Sequence, residues 1–169
     1  LDEDGGEITK EPVDLSEIVS EVADSLRAQA ERRAISSEIH TEKAVIMGIR
    51  PILTEMIYNL CDNAVKYNRD GGSVHILMEP SPKEGYAVRW SVWDTGIGVP
   101  EEEQERIFER FYRVDKARSR EKGGTGLGLA IVADWLKNAG GDIQVESTLG
   151  EGTTFRVTLL AGPCEEVTP

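Results

Sequence analysis

Residues 126–160, GLGLAIVADWLKNAGGDIQVESTLGEGTTFRVTLL, decide the fold class. From near Gly126 to about Asn138 the stretch reads as a helix. Gly140-Gly141 stops it, because glycine accepts the left-handed backbone that closes a helix. A hairpin follows: a strand over Ile143 to Ser147, a turn at Leu149-Gly150-Glu151-Gly152, and a strand over Thr154 to Leu160. A helix feeding a hairpin in one segment points to helices packed on a sheet.

Working back toward the N-terminus, the same alternation holds. Asp14 reads as a helix N-cap, with Glu17 three positions on. Leu15, Ile18, Val19, Val22 and Leu26 then repeat at the spacing of one helix face. Short strand-like pieces follow near Ser36 to His40 and Val45 to Gly48. Pro51 suits the first turn of a second helix, running to about Tyr67. Arg69-Asp70-Gly71-Gly72 is turn chemistry, and strands are predicted at Ser73 to Glu79 and Tyr86 to Trp93. Val99 to Gly124 reads as short helix and irregular loop. The expected fold is a two-layer α/β sandwich, a mixed β-sheet covered on one face by three main helices. Residues 1–12 read as a linker, residues 13–160 as one domain and residues 161–169 as a tail.

The 169 residues carry a net charge of −12, so the phosphate backbone of DNA or RNA would repel the chain. At 39% hydrophobic and 30% charged residues the composition is that of a globular domain, with no run near the roughly 20 apolar residues of a membrane helix. Two distant cysteines, Cys61 and Cys164, make neither a disulfide framework nor a zinc site, which suits a reducing cytoplasm. Opening on Leu1 rather than Met, the chain reads as part of a longer protein. Positive charge is not spread evenly. The segment from Arg106 to Lys122 holds seven basic residues against three acids, immediately ahead of a glycine-rich stretch.

Three groups of residues could carry chemistry. On the second helix Asn59, Asn63 and Lys66 stand at i, i+4 and i+7, within an arc of roughly 60°. A carboxamide oxygen can join a magnesium shell and a lysine can meet a phosphate, although a solvated helix face gives the same spacing. Trp93-Asp94-Thr95-Gly96-Ile97-Gly98 ends a strand with an acid and two glycines. Such a carboxylate can accept a hydrogen bond from an exocyclic amine beside a backbone that admits a flat ring, or can simply close an Asx turn. Gly123-Gly124-Thr125-Gly126-Leu127-Gly128-Leu129 runs into the third helix, where N–H groups and the helix dipole suit phosphates. It is neither a Walker A loop nor a Rossmann turn, since no Lys-Ser/Thr follows and no strand precedes.

Taken in order, Asn59 to Tyr67, Asp94 to Gly98, Arg106-Ile-Phe-Glu-Arg-Phe-Tyr-Arg113 and Gly124-Thr-Gly-Leu-Gly128-Leu resemble the asparagine, first glycine, phenylalanine and second glycine boxes of bacterial sensor histidine kinases. The resemblance spans Val13 to Leu160 and implies the catalytic and ATP-binding domain of such a kinase, with the Bergerat ATP-binding fold. It implies that Asp94 holds the adenine amino group, with Gly96, Ile97 and Gly98 beside it, and that Tyr67 packs near the base. Asn63 would ligate magnesium, supported by Asn59, while Lys66 and Arg113 meet the phosphates. Phe108 to Lys122 would form an ATP lid, and Gly124, Thr125, Gly126, Leu127 and Gly128 would wrap the triphosphate. Ile49 and Asn68 depart from the family pattern, where Asp and Thr or Ser are common, and neither is expected to touch the ligand.

Gyrase-type and chaperone ATPases of the wider superfamily place a glutamate base four residues before the metal-binding asparagine. Here Asn59 stands there, and a carboxamide cannot take a proton from water. The resemblance therefore implies a kinase with ATP and magnesium as cofactors and Asn59, Lys66 and Arg113 as its catalytic residues. Its acceptor would be a histidine on an upstream helical dimerisation domain of the same protein, and a response regulator receiver domain its downstream partner. His40 and His75 fall in strand-like segments and read as structural. The isolated domain is expected to be a monomer with no nucleic-acid or membrane contact, in a parent protein anchored in the cell membrane. A serine kinase of the anti-sigma type and a degenerate nucleotide sensor are the competing readings.

Overall fold

A computed structural model describes residues 10–81, 86–110, 112 and 128–160. Strand β1 (Glu11–Asp14) leads directly into helix α1 (Leu15–Arg32), and the switch is made by Asp14. Its carboxylate accepts the N–H of Ser16 at 3.0 Å and the Ser16 hydroxyl at 2.7 Å, filling one of the open donor positions of the first turn. The apolar stripe named from sequence is the buried face: Leu15, Ile18 and Val19 are fully enclosed, with Val22 and Leu26 behind them. Burying each such side chain contributes about 1.5–3 kcal/mol.

Strands β2 (Ser36–Thr41) and β3 (Val45–Gly48) precede helix α2 (Arg50–Lys66), with Pro51 in its first turn. Ile49 occupies the N-cap and supplies no side-chain bond. The helix start is held instead by Arg50, which pairs with Glu21 of α1 at 2.7 Å. Strands β4 (Ser73–Pro80) and β5 (Tyr86–Asp94) follow, then single 3₁₀ turns at Glu101–Glu103 and Arg106–Phe108. Helix α3 (Gly128–Ala139) and the hairpin of β6 (Asp142–Thr148) and β7 (Gly152–Leu160) complete the fold.

The main sheet has the order β2-β4-β5-β7-β6, with β2 parallel to β4 and every other pair antiparallel. This is the mixed sheet expected. β1 and β3 pair separately as a two-stranded antiparallel sheet, so Glu11 and Pro12, read as linker from sequence, lie in a strand. Alternation divides the two faces of the main sheet. Val74, Ile76, Met78, Val88, Trp90, Val92, Phe155, Val157 and Leu159 are buried against the three helices. The opposite face carries cross-strand polar pairs: His75 stacks on Trp93 at 5.0 Å, Glu79 pairs with Arg89, and Glu146 with Arg156 at 2.8 Å. One face is therefore core and the other is wet, as a two-layer sandwich requires.

Candidate functional site

Asp94 is the last residue of β5, and its position is set by strand register: Val74 of β4 lies on one side and Thr153 of β7 on the other. One carboxylate oxygen, Oδ1, accepts the N–H of Gly96 at 2.8 Å, and the Thr153 N–H also bonds the carboxylate. Burial outweighs both bonds and pushes the Asp94 pKa up to about 6. A half-buried acid at a strand end, with one oxygen tied down and a raised pKa, is poised to accept from an outside donor.

The glycines after it turn out to serve the chain's own packing. A methyl group on Gly96 would stand 2.3 Å from the carbonyl oxygen of Tyr67, and Gly98 adopts a φ of +75°. Only glycine lets this turn lie so close on the end of α2. The N–H of Ile97 donates to that same Tyr67 carbonyl at 3.1 Å, and the Ile97 carbonyl accepts from Gly150 at 2.8 Å. Asp94, the C-terminus of α2 and the β6–β7 turn are thereby joined.

Along α2, Leu60, Cys61, Ala64 and Val65 are buried, whereas Asn59, Asn63 and Lys66 are partly exposed on the face turned from them. Burial drives the Cys61 thiol up to about 12, so it is an inert core group. Lys66 Nζ lies 3.0 Å from Asp62, one helical turn back, so its ammonium is held beside the row. The side-chain nitrogen of Asn59 is buried with no hydrogen-bond partner among the described residues. A methyl on Gly128, the first residue of α3, would come within 3.3 Å of the Asn59 side-chain oxygen. The start of α3 is thus laid against Asn59. An unpartnered buried donor beside a helix N-terminus is suited to an anionic oxygen.

The described contacts join Tyr67, Asp94, Gly96, Ile97 and Gly98 at the end of α2, and Asn59 with Gly128 further back along it, with Asn63 and Lys66 on the Asn59 face of the helix. Arg113, Gly124, Thr125, Gly126 and Leu127 lie outside the described residues. Nearby, Ile107 is buried and Phe108 meets Phe155 edge-on at 6.3 Å, which roots the segment of the phenylalanine box in the core. The Arg106 guanidinium sits 4.4 Å over the Tyr112 ring, whose hydroxyl donates to Glu103, and Arg110 reaches Asp134 of α3 at 3.2 Å. Among the described residues no group of three or more His, Cys, Asp or Glu could hold a metal ion. An open depression walled by Arg69, Ser73, Thr95 and Glu151 includes neither Asp94 nor the polar row of α2.

Two residues given no site role by the sequence hold the Asp94 turn in place. Asn68 is 3% exposed, bonds the Ser73 carbonyl at 3.0 Å, and accepts from the Arg69 N–H at 2.8 Å and the Thr95 hydroxyl at 3.2 Å. It anchors the Asp94 turn to the end of α2. Arg69, read only as turn chemistry, bonds the Thr95 carbonyl at 2.6 Å, the Gly150 carbonyl at 2.6 Å and the Gly96 carbonyl at 3.3 Å. The one local signal was a polar side chain directly after a helix, a position where Asn commonly bonds nearby backbone.

A family model described as histidine kinase-, DNA gyrase B-, and HSP90-like ATPase matches residues 48–163. The sensor-like histidine kinase SenX3 of Mycolicibacterium smegmatis is 40% identical over 155 residues, which are 91% of this chain and 40% of SenX3. The chain thus spans less than half the length of that relative, and 17% of the sensor histidine kinase WalK of Bacillus subtilis. Among solved structures, the catalytic domain of the histidine kinase ThkA superposes with a TM-score of 0.76 at 26% identity, covering 90% of this chain and 95% of that one. Full-length ShkA, solved in complex with AMPPNP, gives a TM-score of 0.76 at 31% identity over 92% of this chain and 32% of its own.

Proposed function

We propose that this chain, which belongs to the histidine kinase-, DNA gyrase B-, and HSP90-like ATPase family, binds magnesium ATP and donates the γ-phosphoryl group to a histidine on a separate helical dimerisation domain. The observation that carries the base end is Asp94, a half-buried carboxylate at a strand end with one oxygen committed to Gly96 and a pKa raised to about 6. The carboxylate, held on Oδ1 by Gly96 and bonded also by the Thr153 N–H, accepts the adenine amine, while Gly96, Ile97 and Gly98 border the base and Tyr67 closes α2 beside it.

The phosphate end is built on α2. The Asn59 nitrogen, without a partner among the described residues, donates to a phosphate oxygen, and Lys66, held beside Asp62, adds positive charge. The donor set fits magnesium in its usual mode, in which the ion keeps water and phosphate oxygens and takes few protein ligands: here the Asn63 carboxamide. When bound, the ion neutralises charge on the triphosphate oxygens. The remaining phosphate contacts are assigned to Arg113 and Gly124 to Gly128, on the resemblance of their motifs alone.

Asn59 also argues for transfer over hydrolysis. It offers no carboxylate to draw a proton from water, so water is a poor nucleophile here and ATP survives until an acceptor arrives. The imidazole nitrogen of the acceptor forms a bond to the γ-phosphorus in line as the bond to the β,γ-bridging oxygen breaks, and ADP leaves. A response regulator receiver domain takes the phosphoryl group next. The domain works as a monomer, on the cytoplasmic side of a membrane-anchored parent, without touching membrane or nucleic acid. Among the described residues no helix is long and apolar enough to cross a membrane.

The deciding experiment mixes this domain with the separate dimerisation domain and ATP labelled at the γ-phosphate. Acid-labile, alkali-stable label on histidine supports the proposal. Label on serine, or none on a protein that binds ATP, removes it.

A further inference from the structure

We infer that Arg69 is a positioning residue for base selectivity, acting on Asp94 through the single peptide group between Thr95 and Gly96. The inference rests on the proposal that Asp94 receives adenine. The carbonyl of that peptide group accepts from Arg69 Nε at 2.6 Å, and its N–H donates to Asp94 Oδ1 at 2.8 Å. Both ends of one rigid, planar unit are therefore held, one by a guanidinium and the other by the carboxylate. A cation on the carbonyl polarises the amide and strengthens its N–H as a donor, so the charge of Arg69 is felt at Asp94 without contact between the side chains.

Geometry reinforces the effect. Arg69 Nη2 binds the Gly150 carbonyl at 2.6 Å and the Gly96 carbonyl at 3.3 Å, so one planar fork gathers three carbonyls from two turns. Without the fork, three carbonyl dipoles would converge with nothing between them. The stem of Arg69 is held in turn, because its N–H donates to Asn68 and the Asn68 carbonyl accepts Arg33 Nη2 at 2.5 Å. Arg33 also takes the Val65 carbonyl at 2.6 Å, tying the arrangement to the end of α2. Fixing the Thr95–Gly96 peptide fixes Oδ1 of Asp94 inward, and so the orientation in which the carboxylate meets the amine of a base.

The consequence is selectivity rather than affinity in general. Adenine presents an exocyclic amine to the oriented carboxylate, whereas hypoxanthine presents a carbonyl that a carboxylate repels. If the carboxylate can rotate, that distinction weakens. The test compares dissociation constants for ATP and ITP by calorimetry on wild type, Arg69→Met and Arg69→Lys, with Val157→Ala as a core variant destabilised away from the turn. The expected result is a clear ATP preference in wild type and Val157→Ala, and a preference at least about fivefold smaller in Arg69→Met, since discrimination by a polar group depends on its being held in place. Arg69→Lys keeps the charge but loses the fork and falls between them. It also decides the question should Arg69→Met fail to fold. An unchanged ATP-to-ITP ratio in folded Arg69→Met or Arg69→Lys overturns the inference while leaving Asp94 as the base site. A wild-type protein that binds ATP and ITP alike overturns the base site and this inference together.

Discussion

Replacing Asp94 with asparagine should make the nucleotide-free protein more stable at neutral pH while removing its ability to bind ATP. The reasoning starts from the raised pKa. An aspartate at 3.8 in the unfolded chain and about 6 in the folded one binds its proton more tightly when folded. Stability from this group is therefore fully present below pH 4, declines as pH rises through 6, and is gone above that. The difference corresponds to about 3 kcal/mol at about 1.4 kcal/mol per pKa unit. Asp94 keeps part of its surface in water, which reduces the net effect to about 1–2 kcal/mol. For a chain of this size that is a melting-temperature difference of roughly 3–6 °C at pH 8. The carboxamide of Asp94→Asn carries one acceptor oxygen where the carboxylate has two, so either Gly96 or Thr153 could lose a bond. Such a loss is constant with pH and cancels when the two proteins are compared across a range. The assay is a pair of thermal melts from pH 8 to pH 5 without nucleotide, over which the gap in favour of Asp94→Asn should shrink by about half. Melting curves that stay parallel for the two proteins over that range would refute a raised Asp94 pKa. In the binding counterpart, wild-type affinity for ATP should be flat above pH 7 and fall about tenfold per unit well below pH 6.

Gly96→Ala should destabilise the fold by about 2–3 kcal/mol in chemical denaturation, because its methyl group would meet the Tyr67 carbonyl at 2.3 Å and the Asn68 Cα at 2.9 Å, both backbone. Asn59→Ala should leave adenosine binding unchanged and weaken ATP by about tenfold in calorimetry, since the side chain faces the start of α3 rather than the base; equal loss for both ligands would remove Asn59 from the phosphate end. Arg113→Ala should likewise weaken ATP more than adenosine, and a matched loss would mean that the residue supports the fold.

What was legible in the sequence was what neighbours along the chain decide. The stripe from Leu15 to Leu26, the Asp14 cap, the glycine stop after α3 and the last hairpin all depend on residues within a few positions of one another, and each is present. β1 was missed because nothing local favours a four-residue strand containing Pro12 and two acids; it exists through pairing with Val45–Gly48, more than thirty residues away. The site divides the same way. Asn59, Asn63 and Lys66 could be placed on one face by helical period alone. Asn68 and Arg69 could not be assigned, because their partners, Thr95, Gly96 and Gly150, lie 26 to 81 positions on, and only the β4-β5-β7 order brings those turns together.

That order also explains why the acid proposed to recognise the base sits where it is costly. At the end of β5, Asp94 lies between β4 and β7, two strands that supply Val74 and Thr153 at its sides and leave the carboxylate half-buried. A carboxylate there is disfavoured by burial, and the same burial makes its hydrogen bond to a ligand stronger than it would be at the surface. The chain offsets the cost with fixed donors. Two backbone N–H groups point at the carboxylate, and the peptide that carries one of them is gripped from behind by Arg69. Arg33 adds cationic bonds to the Val65 and Asn68 carbonyls at the end of α2, and the Asn68 amide adds a neutral one to the Ser73 carbonyl at the start of β4. None of these groups faces the ligand, yet without them the acid could lower its energy by turning toward solvent, and a base would then meet a mobile charge. On the reading proposed for Asp94, the selectivity of the site would be set as much by the arginines behind the turn as by the acid in front of it.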